Sequence, residues 1–160
     1  MPSPADEAML TGLVGELSGR FGTPFFAPHL TLQGDTELPP AALERAAAAA
    51  AETVPAFSEA VAMVEGSEAF FRSFYARFAV SPPLARLKRA LDPEGLDSFM
   101  PHVSLLYGPV EAPAKAAAIA EVQARLAGRM IHFDRIGIVT SGQDIAIADW
   151  RLVTSVELRS

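Results

Sequence analysis

No cysteine occurs in the 160 residues. Disulfides, thiolate metal sites and cysteine nucleophiles are therefore excluded, whatever the compartment. Histidine is scarce as well. Three histidines, with no His-x-x-x-His spacing and no glutamate-rich cluster, fall short of ordinary ligand spacing, so neither a metal nor another cofactor is expected. No serine lies in a nucleophile-elbow pattern. Positive charge is in deficit: 13 Lys and Arg face 19 Asp and Glu, a net charge of −6. Such a chain is poorly suited to holding a long polyanion by general attraction, which rests on cations neutralising phosphates. A small anion in a local pocket remains open. Long apolar runs are missing too. The alanine tract at Ala46–Ala51 is about a third of a membrane span, and "MPSPADEAML" has no basic patch before an apolar run. The expectation is a soluble, cytoplasmic, monomeric protein without membrane contact.

What is present belongs to a folded chain. Half the residues are hydrophobic and 20% are charged, enough for one sizeable core or two small lobes. Ser3-Pro4-Ala5-Asp6 offers a cap, a first-turn proline and a first-turn acid, and Leu10, Leu13, Val14, Leu17 and Phe21 follow at helical spacing. His29 to Gln33 alternates as a strand, and Pro39-Pro40 opens an alanine-rich helix to about Thr53. Strands are expected over Phe57 to Val64 and Phe70 to Val80. Ser81-Pro82 then starts a helix that Asp92-Pro93 stops, followed by a strand from His102 to Tyr107. A helix opened by Pro113 and closed at Gly128 precedes strands over Met130 to Val139 and Ile145 to Leu158.

The order helix–strand–helix–strand–strand thus occurs twice, with approximate halves 1–80 and 81–160. "PHLTLQG" at Pro28 returns as "PHVSLLYG" at Pro101. Phe57 maps onto Met130 at the same 73-residue offset as His29 onto His102. The expected architecture is α+β: a single bilobal domain over 1–160, with two antiparallel-sheet lobes around a central cleft.

The repeated motif carries chemistry. Residues i and i+2 of a strand point the same way, so His29 shares a face with Thr31, and His102 with Ser104. An imidazole beside a hydroxyl can hold one oxygen of a bound anion. Two such units can flank a phosphate, one neutral imidazole taking a proton from the attacking group and one imidazolium giving a proton to the leaving oxygen. Thr31 and Ser104 can donate to the non-bridging oxygens. A lone histidine in an apolar strand is more often structural, but two copies at equivalent places are not explained that way. His132, with Asp134 two residues on and no hydroxyl partner, is the contrast and reads as structural or surface.

"HLTL" and "HVSL" resemble the paired His-x-Thr/Ser signatures of the 2H phosphoesterase superfamily. "PHVSLLYG", "FFRSFYARFAV" and "HFDRIGIV…IADWRLV" resemble its cyclic phosphodiesterase-like branch. The resemblance covers nearly the whole chain. It implies a bilobal duplicated fold with both histidines in the central cleft, and opening of 2′,3′-cyclic nucleotides or ADP-ribose 1″,2″-cyclic phosphate. More distant relatives ligate or trim RNA ends. Carried over, His29 and His102 are the catalytic pair and Thr31 and Ser104 bind phosphate. The residues leave open which histidine is acid and which is base; the family analogy for cleavage to a 2′-phosphate favours His29 as acid and His102 as base. Two departures bear on nucleobase recognition: the chain begins directly in a helix, and a short loop joins the His29 strand to the Pro39 helix.

Four further residues are substrate-binding candidates. Tyr107 follows the His102 strand, on the opposite face by strict alternation unless the end at Gly108-Pro109 bends it to the rim. Phe71 and Tyr75 share a strand face with Ser73 and Arg77 that has the composition of a cleft wall. Gln33 is third on the His29 face. Arg72 and Arg77 are candidate phosphate partners, Trp150 reads as core, and Arg86, Lys88 and Arg89 read as a solvated helix face. The expectation is hydrolysis of a small cyclic phosphodiester. The alternatives are an RNA 2′,3′-cyclic phosphodiesterase or 2′–5′ ligase acting on an RNA end, which calls for a basic stripe, and an inactive nucleotide-binding module.

Overall fold

The computed structural model describes residues 1–159. Among the described residues four α-helices form, each with a proline in its first turn: α1 (Pro4–Phe21), α2 (Pro40–Ala51), α3 (Pro82–Leu91) and α4 (Ala112–Leu126). In α1 the Ser3 hydroxyl accepts from the Asp6 amide, and Gly22, at φ 65°, closes the helix in the left-handed conformation open to glycine. Six strands accompany them: β1 (Phe57–Gly66), β2 (Phe74–Phe78), β3 (His102–Leu106), β4 (Met130–Phe133), β5 (Arg135–Thr140) and β6 (Arg151–Glu157). All named strand pairs are antiparallel. One sheet has the order β3-β2-β1-β4, and β5 pairs with β6 in a second. The result is an α+β fold in which helices flank antiparallel sheet.

Two cores form. Leu10, Leu13, Val14 and Leu17 of α1, with Val122 and Leu126 of α4, pack with the inward residues of the four-stranded sheet. Ala47, Ala50 and Ala51 of α2 pack with Leu87 of α3, Ile136 and Ile138 of β5, and Leu158. These groups are not the sequence halves. The four-stranded sheet takes β1 and β2 from the first half and β3 and β4 from the second. Phe57 and Met130, matched as repeat equivalents, lie on neighbouring strands of that sheet, where Phe57 faces Phe133 and Ala60 faces Met130. No helix among the described residues is long and apolar enough to cross a membrane.

Several expected strands are shorter or divided. The His29–Gln33 segment makes a single bridge, Leu30 to Val103. Pro28 has no N–H to lend a ladder, and the Leu32 carbonyl accepts from Lys88 Nζ. Phe70–Arg72 is a 3₁₀ turn and β2 begins only at Phe74. The Ser67 hydroxyl shapes this loop, donating to the Arg72 carbonyl while accepting from the Ala69 amide. The stretch from Met130 divides at Asp134 into β4 and β5, which belong to different sheets. A 3₁₀ turn at Ile147–Asp149 delays β6.

Candidate functional site

β3 is the end strand of the larger sheet, and its remaining edge meets the His29 segment. The antiparallel bridge between Leu30 and Val103 sets His29 opposite Ser104 and Thr31 opposite His102. The two His-x-Thr/Ser units are thus related by a local twofold through that bridge. Directly opposed residues on one face stand close enough to touch, so all four side chains meet on one surface. Val103 between them is fully buried and anchors the floor.

The imidazoles are held in matching ways. His29 Nδ1 lies 2.8 Å from the Ala27 carbonyl, and His102 Nδ1 lies 2.9 Å from the Met100 carbonyl. A carbonyl only accepts, so each Nδ1 carries its proton and donates it. That leaves each Nε2 as the ring position that exchanges a proton with something else: a lone pair when the ring is neutral, a donor when it is charged. Desolvation by burial lowers both pKa values below the ordinary histidine value. The His29 shift is also driven by the charges of the N-terminal amine and His102, and the His102 shift by Arg72; the carbonyl bonds oppose both shifts.

The hydroxyls differ. Thr31 is exposed in the cleft, and no hydrogen bond of its side chain occurs among the described residues. Ser104 is buried and its Oγ donates to the Phe71 carbonyl at 3.1 Å. That bond ties β3 to the 3₁₀ turn carrying Phe71 and Arg72.

These residues line a cleft of about 890 Å³. His29, Thr31, Gln33, His102, Ser104, Phe71 and Tyr107 all reach it; Tyr75 does not. Tyr107 arrives because the strand ends at Leu106 and Gly108 turns the chain at φ 97°. Its ring stacks on Phe26 at 3.7 Å, and burial pushes its phenol up to about 12, with the neighbouring Ser104 hydroxyl partly opposing the shift. It remains a neutral donor at working pH. Tyr75 stands opposite Ser104 on the β2 side, with its ring edge-on to His102 at 5.2 Å. Burial and then the Glu65 carboxylate raise its pKa. Arg77 faces His102 across the same ladder but pairs with Glu65 at 3.2 Å.

Trp150 reaches the site although its alternation with Leu152 reads as core. It packs against the larger core and also lines the cleft, its ring 5.9 Å from Phe71 and 6.5 Å from His29. The available signal was its position between Asp149 and Arg151, where an aromatic needs a neighbour to cover it. The opposite wall is apolar, built by Leu43 and Ala47 of α2 and Ile136 and Ile138 of β5. Of the cleft-lining residues, Arg72 is the one Lys or Arg, and Asp35 the one acid. Among the described residues no group of three His, Asp or Glu side chains is placed to hold a metal ion.

The family description "2′-5′ RNA ligase superfamily" matches residues 14–144, a span that includes both His-x-Thr/Ser units and most of the cleft. The chain belongs to the 2′-5′ RNA ligase superfamily. This superfamily is related to the 2H phosphoesterases that the motifs resemble. No curated protein matches the chain. Superfamily membership links the chain to phosphoester chemistry of the RNA-ligase type.

Proposed function

We propose that the protein acts on the 2′,3′-cyclic phosphate at an RNA end, breaking its P–O3′ bond so that water leaves a 2′-phosphate or a 5′-hydroxyl is joined in a 2′–5′ link. The observation that carries this reading is the twofold pairing of His29–Thr31 with His102–Ser104 in one cleft, within a chain of this superfamily. The reading takes residues 1–160 as one bilobal unit, the two cores forming opposite walls.

In hydrolysis, one neutral Nε2 takes a proton from water as its oxygen bonds to phosphorus. The other imidazole gives its Nε2 proton to the ribose oxygen whose P–O bond breaks. In joining, the 5′-hydroxyl replaces water and the proton traffic is the same. Thr31 donates to a non-bridging oxygen, where charge grows as the fifth oxygen approaches. Arg72 neutralises the phosphate from the cleft rim, and Phe71 and Trp150 offer faces for a base. Histidine suits both proton transfers, and no step calls for a metal.

A second reading, hydrolysis of a small cyclic phosphodiester in the manner of the cyclic phosphodiesterase-like branch, is favoured by charge. The net charge is −6, and Arg72 alone supplies a Lys or Arg to the cleft, where an RNA tract calls for a stripe. Turnover of an oligonucleotide ending in 2′,3′-cyclic phosphate is compared with that of a cyclic mononucleotide, in excess chelator, with phosphorus NMR of the products. Preference for the oligonucleotide supports the first reading, and equal or faster mononucleotide turnover selects the second. Activity lost to chelator and restored by zinc overturns the metal-free scheme.

A further inference from the structure

Lys88, placed by its neighbours in sequence on a solvated helix face, is buried. Lysine is almost never fully buried without partners, and this one has three. Its Nζ donates to the Leu32 carbonyl at 2.8 Å and to Asp92 Oδ2 at 2.6 Å, and lies 5.2 Å from the centre of the Phe99 ring. The Asp92 pair is local, one helical turn along α3. The Leu32 bond spans 56 residues and ends one residue past Thr31. The enclosure is tight: a Cβ added at Gly95 lies 2.8 Å from Nζ.

The His29 segment needs such an anchor. His102 and Ser104 belong to a strand bonded along its length to β2, whereas His29 and Thr31 flank one bridge. Proton transfer and phosphate binding require side chains held to a fraction of an ångström. We propose that Lys88 is a positioning residue for the His29–Thr31 segment, fixing through the Leu32 carbonyl what a sheet partner fixes for His102 and Ser104.

The proposal rests on the two-histidine reading of the cleft, and its test has one arm that needs no substrate. Lys88→Met keeps the apolar stem and removes the donor. Lys88→Arg restores a cation with donors. Gly95→Ala crowds the Asp92 carboxylate and the ammonium bonded to it without removing either. In Lys88→Met, kcat/KM on a cyclic-phosphate oligonucleotide falls by about 10- to 100-fold, mostly in kcat, the scale of a misplaced reacting group. Lys88→Arg recovers part of the loss. In nitrogen NMR titrations, the His29 imidazole and the Thr31 amide move while His102 keeps its wild-type curve. Gly95→Ala gives a smaller change of the same kind.

A folded Lys88→Met protein with wild-type kinetics and an unmoved His29 overturns the proposal. If Lys88→Met does not fold, a folded Gly95→Ala protein with unmoved His29 and Thr31 signals overturns it instead. Equal movement of both histidines also overturns it, as that marks a charge effect on the whole cleft. So does unfolding of both variants, because Lys88 then holds the fold at large. If the wild-type protein turns over no cyclic phosphate, the functional reading fails on that result alone, and the NMR arm still decides the positioning role.

Discussion

His29 and His102 make the same hydrogen bond and stand in the same four-residue motif, yet the chain supports them differently. His102 opens a strand whose neighbour β2 is bonded in turn to β1, and its partner hydroxyl is buried and tied to Phe71. His29 follows a proline on a segment with one bridge, its partner hydroxyl is exposed, and a buried lysine holds the next carbonyl. One half of the site is made by sheet formation and the other by side-chain anchorage. Under the proposed roles, equivalent chemistry does not need equivalent scaffolding; it needs equal fixity, which a ladder and a buried cation supply by separate routes.

The strongest way to break this comparison is to remove each histidine. His29→Ala and His102→Ala are each expected to lower turnover by roughly 10²–10⁴, the usual scale for a positioned acid or base, with circular dichroism unchanged. Near-wild-type turnover in either variant ends the symmetric scheme. The hydroxyls are expected to separate the two sides. Thr31→Ala removes a donor with no competing bond and costs about 2–4 kcal/mol of transition-state stabilisation if well aimed. Ser104→Ala costs less, because its proton already goes to the Phe71 carbonyl. Steady-state kinetics of the pair measure the difference, and a larger loss at Ser104 reverses the assignment of the more active donor.

A gentler probe uses pH. Both imidazoles titrate below the ordinary value of about 6.5 because burial disfavours their charged forms. The proposed scheme needs one neutral and one charged ring, so kcat/KM is expected to be bell-shaped with its maximum on the acid side of that value. The limbs belong to the coupled pair, not to either residue. Arg72→Met removes a charge that lowers the His102 pKa, so the His102 titration is expected to move upward, and the more readily charged His102 pushes His29 slightly downward. An NMR titration reads both rings; a downward or absent shift at His102 contradicts that origin. The same shifts make a stability statement. Unfolding returns each histidine to its higher ordinary pKa, so the unfolded chain binds more protons between the folded and unfolded values. Stability therefore rises with pH across that window and falls on acidification through it. The smallest effect is expected from Tyr75→Phe, which keeps the ring edge against His102 and loses only the hydroxyl. Activity within a factor of a few separates a packing role from direct contact with substrate.

Much of this site was written in local pattern. The i, i+2 rule pairs each histidine with its hydroxyl from sequence alone, and proline and glycine punctuation places all four helices within a residue or two. Global pairing was not legible. The order of elements suggests two equal halves, but which strands share a sheet depends on burial partners far apart in sequence, and β1 pairs with both β2 and β4. Lys88 shows the same limit. A helix with Arg86, Lys88 and Arg89 close together reads as solvated, and only the two segments folded over it, carrying Phe99 and the Leu32 carbonyl, turn the middle cation inward. Trp150 and Tyr107 reach the cleft through a short turn and a positive-φ glycine, which shift a side chain off the face strict alternation assigns.

The paired carbonyl bonds at Ala27 and Met100 carry a last consequence. Because each ring presents the same nitrogen to the cleft, neither imidazole is built as a dedicated donor or acceptor. Under the proposed reading, the ring that accepts a proton on the way forward is the one that returns it on the way back. Opening a cyclic phosphate with a 5′-hydroxyl and cleaving a 2′–5′ link are then one path travelled in opposite senses. Under that reading the site sets no arrow for this path: the relative amounts of free ends and of 2′–5′ link do, and water competes only by opening the cyclic phosphate.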